Sequence, residues 1–253
     1  MRSLWLPLCA VLLVGVPGTA DAQGRGRAGG GPPQTGRAAA PRDLTGTWVS
    51  VVTEHWHLRM LVPPKGEFAM LPLNPEARKL ATAWDAAKEP AAEQCRSYGA
   101  AAIMRIPGRV HIQWADDNTL QMDIDSGTQT RMLRFGATPP ANQPLEWQGY
   151  SVANWEALGA RGRGAMPTQL RVRTTRMRPG YLRKNGVPYS ENATLEEYYD
   201  RFTEPNGDDW LVVTSIVTDS KYLTQPYATT NHFRKIPDKQ GWDPTPCRAD
   251  QAR

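Results

Sequence analysis

The sequence predicts an all-β fold, an antiparallel barrel of about eight strands with one or two short helices. Three observations point there. After Arg105, apolar and polar residues alternate in short β-rich runs such as "RVHIQW", "TLQMDID" and "QTRMLRF", a period that sends successive side chains to opposite faces of a strand. The segments between these runs, "ADDN" and "SG", carry the chemistry of tight hairpin turns. Only one stretch has helical spacing, and no internal repeat is present, so helix-crossover sheets, solenoids and propellers are excluded.

The first 22 residues read as an export leader: Arg2, an apolar run "LWLPLCAVLLVGVPG" and small residues "ADA" before Gln23, a pattern cut by signal peptidase. Localisation is therefore expected to be periplasmic or secreted, with no membrane insertion after cleavage. Residues 23–42, "QGRGRAGGGPPQTGRAAAPR", contain no bulky apolar side chain and are expected to form a disordered tether. Residues 43–253 are expected to form one domain. The chain has 30 Lys+Arg against 25 Asp+Glu, but five of the arginines and one acid precede residue 43, leaving 25 against 24 for the domain. A nearly neutral domain removes the charge argument for a nucleic-acid partner. Cys95 and Cys247 remain after cleavage. In an oxidising compartment they are expected to pair, and closing so long a loop stabilises a fold by about 4 to 5 kcal/mol in the chain-entropy model.

The opening stretch "LTGTWVSVVTEHWHLRM", residues 44–60, is expected to be the first strand. The helix follows at "NPEARKLATAWDAAKE": Asn74 as N-cap, Pro75 at the first helical position and Glu76 in the first turn are favourable start chemistry. Leu80, Ala83, Trp84 and Ala87 then form its apolar face. The three runs after Arg105 form a meander, and "TQLRVRTTRM", "ATLEEYYDRF", "DWLVVTSIVTD" and "YATTNHFRK" supply further strands, with "LEWQGY" as an optional ninth. Closure removes the exposed edges of such a sheet. Periodicity alone leaves barrel and sandwich open. "LTGTW" favours the barrel, because Gly46 and Trp48 resemble the opening of lipocalin-type barrels, in which the Trp plugs one end. That resemblance implies an arginine from the last strand over the Trp, here Arg234.

A second resemblance runs from "GYSVANWE", residues 149–156, to "YLTQPY", residues 222–227. It is carried by Ser151, Ala153, Trp155 and Glu156, by Gly186, Pro188, Tyr189, Ser190 and Glu191, by Glu197, and by Asp219, Tyr222, Thr224, Pro226 and Tyr227. This pattern is similar to that of a group of uncharacterised exported bacterial proteins, and implies export and a β-barrel without assigning chemistry. Tyr189 stands where the group has His, and Ser220 where it has Pro, so no proton-transfer role of that His carries over.

His55 and His57, at i and i+2, would share one face of a strand at a spacing that grips a cation. A complete site needs ligands from His111, His232 or a distant carboxylate, so the pair is read as polar residues at a strand end; no metal and no cofactor are expected. The run "RVRTTRMRPGYLRK" has six basic residues and no acid. With Tyr189 in the loop from Tyr181 to Glu191, it offers forked donors and a stacking face for a carboxylate or phenolate. The alternative is a solvated face balanced by Glu196, Glu197 and Asp200. Glu197 shares a strand face with Leu195 and Tyr199. If that face is the core, Glu197 needs Arg173 or Arg131 as partner, or else becomes an acid or base with a raised pKa. Nine tryptophans against four phenylalanines supply core and pocket walls. The expected ligand-binding set is Trp155, Arg173, Tyr181, Arg183, Tyr189, Glu197 and Tyr199, with Glu197 the candidate catalytic group. The expected function is binding of a small apolar or aromatic molecule, with an anionic ligand as an option. An enzyme acting in the same cavity and a structural or partner-binding module are the alternatives, and an open or a filled barrel interior separates them.

Overall fold

The computed structural model describes residues 34–157 and 168–253; the expected leader and the first half of the expected tether lie outside them. The strands are β1 (Gly46–Val51), β2 (Arg109–Asp116), β3 (Thr119–Ile124), β4 (Gln129–Phe135), β5 (Tyr150–Glu156), β6 (Gln169–Thr175), β7 (Gly180–Arg183), β8 (Val187–Tyr189), β9 (Thr194–Thr203), β10 (Asp209–Thr218) and β11 (Tyr227–Ile236). Short helices are α1 (Trp56–Arg59), α2 (Pro75–Ala83) and α3 (Ala100–Ile103), with 3-10 turns at Ala86–Lys88 and Ala91–Tyr98. Among the described residues no helix is long and apolar enough to cross a membrane.

Nine strands close a barrel in the order β1-β11-β10-β9-β6-β5-β4-β3-β2, with β2 returning to β1. Alternation decides its inside. Ile112 of β2, Leu120 and Met122 of β3, Leu133 of β4, Val172 of β6, Tyr199 of β9, Val213 of β10 and Phe233 of β11 are all buried in one cluster. The sheet departs from the expected antiparallel meander at one seam: β4 and β5 run parallel, Leu133 opposite Ser151. A parallel pair needs a crossover, and the segment after Gly136 provides it. "LEWQGY" therefore forms no full strand; Glu146 bridges to Met177 and Tyr150 opens β5.

The loop expected from Tyr181 to Glu191 is instead the hairpin β7–β8, a separate two-stranded sheet inserted between β6 and β9. It packs on α2, α3 and the Ala91–Tyr98 turn over one end of the barrel. Leu195, Val217 and Tyr227 at that end join Ala77, Ala81, Leu182, Val187 and Tyr189 in a second apolar cluster. Trp48 lies at the other end, opposite Lys235, fully buried, with its indole N–H donating to the Leu44 carbonyl at 3.0 Å.

Several expectations need correction. Arg234 does not cover Trp48; the adjacent Lys235 does, its Nζ lying 5.5 Å from the ring centroid, while Arg234 faces Asp208. The first strand ends at Val51, so His55 and His57 share no strand face. His55 has a left-handed backbone (φ 49) and caps α1, which contains His57. Among the described residues no group of His, Cys, Asp and Glu is placed to hold a metal ion. Asn74 caps α2 as expected, accepting from the Ala77 N–H at 2.9 Å. The helix buries Ala77 and Ala81, however, and leaves Leu80 44% exposed, because small side chains allow it to approach β8 closely. Residues 34–42 are not a free tether: the Arg37 N–H donates to the Asp117 carbonyl at 2.9 Å and the Gly36 N–H to Asn118 Oδ1 at 2.8 Å. Their backbone groups find partners on the barrel although their side chains have nothing to bury. A disulfide joins Cys95 to Cys247, as expected.

Candidate functional site

The interior of the barrel holds an ion pair. Arg131 of β4 and Glu197 of β9 are fully buried, and Arg131 donates from Nη1 to Oε1 at 3.0 Å and from Nη2 to Oε2 at 2.5 Å. Tyr199 Oη accepts from Arg131 Nη1 at 3.3 Å, and Thr174 Oγ1 from Nη2 at 3.4 Å. Burial alone would lower the Arg131 pKa, but the Glu197 carboxylate overrides it and holds the guanidinium above its ordinary value. Burial, and then the Glu197 charge, raise the Tyr199 phenol. Both Glu197 oxygens are thus engaged, and the candidate acid or base is a structural partner of Arg131. Of the two partners expected, Arg173 is not used.

The other expected site residues do not gather in one place. Arg173 lies on the outer face of the barrel in a groove shared with Arg171 and Val152. Trp155 stacks on Phe135 with ring centroids 5.5 Å apart and donates its indole N–H to the Gly36 carbonyl at 2.7 Å, so it fastens the 34–42 segment. Tyr181 and Tyr189 line one cavity beside the β7–β8 hairpin, and Arg183 lines another.

The Tyr181–Tyr189 cavity has a volume of about 340 Å³ and is walled by Trp84, Tyr181, Tyr189, Tyr222, Pro179 and Pro188, with Arg96 at its edge. Trp84 enters it because α2 ends at Ala83 and the chain turns extended there. Trp84 and Tyr181 meet edge to face, centroids 5.6 Å apart. A buried carboxylate fixes both: Glu89 Oε2 accepts from Trp84 Nε1 at 2.7 Å and from the Tyr181 hydroxyl at 3.1 Å. Arg96 completes the network, donating to the Tyr181 hydroxyl at 3.0 Å and pairing with Glu89 and Glu93. Burial raises the Tyr181 phenol, against the pull of Arg96, so it stays a donor to Glu89. Gly186 (φ +77) faces Trp84 so closely that a Cβ there would lie 2.3 Å from the indole.

Trp84, expected on the helix face, is the residue just past the end of α2, and Glu89 and Arg96 sit at the end of one 3-10 turn and within the next, where the sequence has no period to mark them. Gly186, Pro188, Tyr189 and Tyr222 also line this cavity. Next to Tyr189 in the chain, Ser190 donates its backbone N–H to Asp219 at 2.6 Å and its hydroxyl at 2.8 Å. Comparison with protein-family models, with curated proteins and with solved structures finds no match for this chain.

Proposed function

We propose that this chain is an exported small-molecule-binding barrel, akin to the group of exported bacterial proteins it resembles, and that it receives an apolar or aromatic ligand in the Trp84–Tyr181–Tyr222 cavity. One observation carries the reading. The polar edges of Trp84 and Tyr181 are both tied to Glu89, so they have no hydrogen bond left to offer and the cavity presents ring faces held in place. Pre-set aromatic faces favour a flat apolar ligand, because no side-chain freedom is lost on binding. The leader-like first residues and the disulfide support export.

The test uses 2-naphthol, a neutral aromatic probe, and isothermal titration. Wild-type protein is expected to show one saturable site, and Trp84→Leu to bind about tenfold or more weakly, as truncation of a central aromatic anchor does. Equal affinity in both proteins would overturn the proposal. The filled level of the barrel at Arg131 and Glu197 favours a second reading, a structural or partner-binding module, for which no saturable naphthol binding is expected.

A further inference from the structure

Tyr181 and Arg183 are two apart on β7, a spacing that in a regular strand places both on one face. Here Tyr181 pairs with Pro188 and Arg183 with Val187, an irregularity in the ladder, and bulges of this kind re-aim side chains. Tyr181 goes to the aromatic cavity and Arg183 to a different one, with no lining residue in common. This second cavity, of about 310 Å³, lies between the segment after β1 and the start of β11, lined by Glu54, Met70, Arg105, Arg183, Tyr227 and His232 among others.

Its charge is unbalanced. Arg183 is 4% exposed and Arg105 8% exposed. Arg183 Nη2 donates to the Ala69 carbonyl at 3.0 Å, but its Nε and Nη1, and Arg105 Nη2, are buried and have no hydrogen-bond partner among the described residues. Arg59 and Lys184 stand behind them around a smaller void that Arg105 and Arg183 also line. Glu54 is the only acid among the described lining residues, and it is taken up by Arg59, whose Nη1 donates to Oε1 at 3.1 Å. Burial lowers the Arg105 guanidinium; Tyr227 opposes this and the Arg183 charge adds to it. Burial, then the charge of Arg105, pull Arg59 down to about 10. Folded proteins rarely bury like charges with open donors, and unsatisfied buried polar groups require a reason. Arginine forks match the two oxygens of a carboxylate, while Met70 and Tyr227 supply an apolar wall too large for a bare inorganic ion.

We propose that this cavity binds a small organic carboxylate, its head group held by the charge of the Arg105 and Arg183 guanidiniums that line it and its apolar body lying against Met70 and Tyr227. The site is independent of the aromatic cavity, and the two succeed or fail separately.

The test titrates benzoate, benzyl alcohol and inorganic phosphate into wild-type protein, Arg105→Met and Met70→Asp. Benzoate is expected to saturate one site on the wild type and to bind at least about tenfold more weakly to Arg105→Met, the loss typical of a shielded charge-assisted bond. Benzyl alcohol should not distinguish the two proteins. Arg105→Met should melt no lower than wild type without ligand, because it removes an uncompensated buried charge. Met70→Asp covers the case in which Arg105→Met folds poorly: Met70 is exposed and left-handed (φ 65), a backbone that Asp tolerates, and the added carboxylate should weaken benzoate selectively. The proposal is overturned if benzoate fails to bind at any soluble concentration, or binds all three proteins equally. Inorganic phosphate binding as tightly as benzoate would overturn the organic body of the ligand.

Discussion

Arg131 and Arg105 are both buried arginines, yet their surroundings give them opposite roles. Arg131 has Glu197 across the barrel with two hydrogen bonds, so removing the carboxylate strands a charge in the core. Glu197→Gln keeps the shape and should lower stability by about 3–5 kcal/mol, measured by urea unfolding; a change below 1 kcal/mol, with 2-naphthol or benzoate binding lost, would return Glu197 to the list of functional groups. Lys184 provides a pH test. Burial pushes its amine down to about 7 from 10.5, partly opposed by Asp250, and Nζ sits 3.6 Å from the Tyr98 ring centroid. Below pH 7 the amine is charged in both states and folding must bury the charge. From about pH 7 to the unfolded value of 10.5 the unfolded chain holds the extra proton, so stability rises with pH. Lys184→Met should flatten that rise in urea midpoints taken at pH 6.5 and 9.5, and an unchanged slope would show that the group does not titrate in this window.

At the scale of elements, the β7–β8 hairpin matters most because it is not part of the barrel. It supplies Tyr181, Pro188 and Tyr189 to the aromatic cavity and Arg183 to the other. Its turn depends on Gly186, where the left-handed backbone alone penalises a side chain by about 1–2 kcal/mol and Trp84 blocks the space a Cβ would take. Gly186→Ala should therefore lower the melting temperature and also weaken 2-naphthol, since Trp84 must move. Unaltered naphthol binding in a destabilised Gly186→Ala protein would separate the hairpin from the aromatic site. The helix α2 illustrates why element existence is easier to read than element orientation. Asn74 and Pro75 announce its start through local hydrogen bonding, but which stripe faces inward depends on the partner, and β8 accepts Ala77 and Ala81 rather than Leu80.

At the scale of the whole molecule, the Cys95–Cys247 bond, spanning 152 residues, ties the C-terminal segment to the turn preceding α3. Next to it, the Arg248 carbonyl accepts from Lys184 Nζ at 3.0 Å and from the Tyr98 hydroxyl at 3.1 Å. Reduction should cost up to about 5 kcal/mol in the chain-entropy model. Alkylation followed by intact mass should find no free thiol in this pair before reduction and two after it; two alkylated thiols in the unreduced protein would refute the bond.

The β class, the start of α2 and the cysteine pair were legible in the sequence, because they rest on period, local capping chemistry and composition. Alternation places Leu195, Glu197 and Tyr199 on one face of β9 whatever else the chain does. Tertiary structure alone decided which charges meet. Glu197 found Arg131 rather than Arg173, since Arg131 also points inward on β4 while Arg173 lies on the outer face of β6. It also divided the expected site: β9 carries Glu197 and Tyr199 into a filled core, and an irregularity in β7 parts Tyr181 from Arg183. Local sequence encodes the periodicity of a strand, but the parallel β4–β5 seam, the hairpin outside the barrel and the meeting of Glu89 with Trp84 and Tyr181 depend on contacts between residues far apart in the chain, whose partners no local pattern specifies.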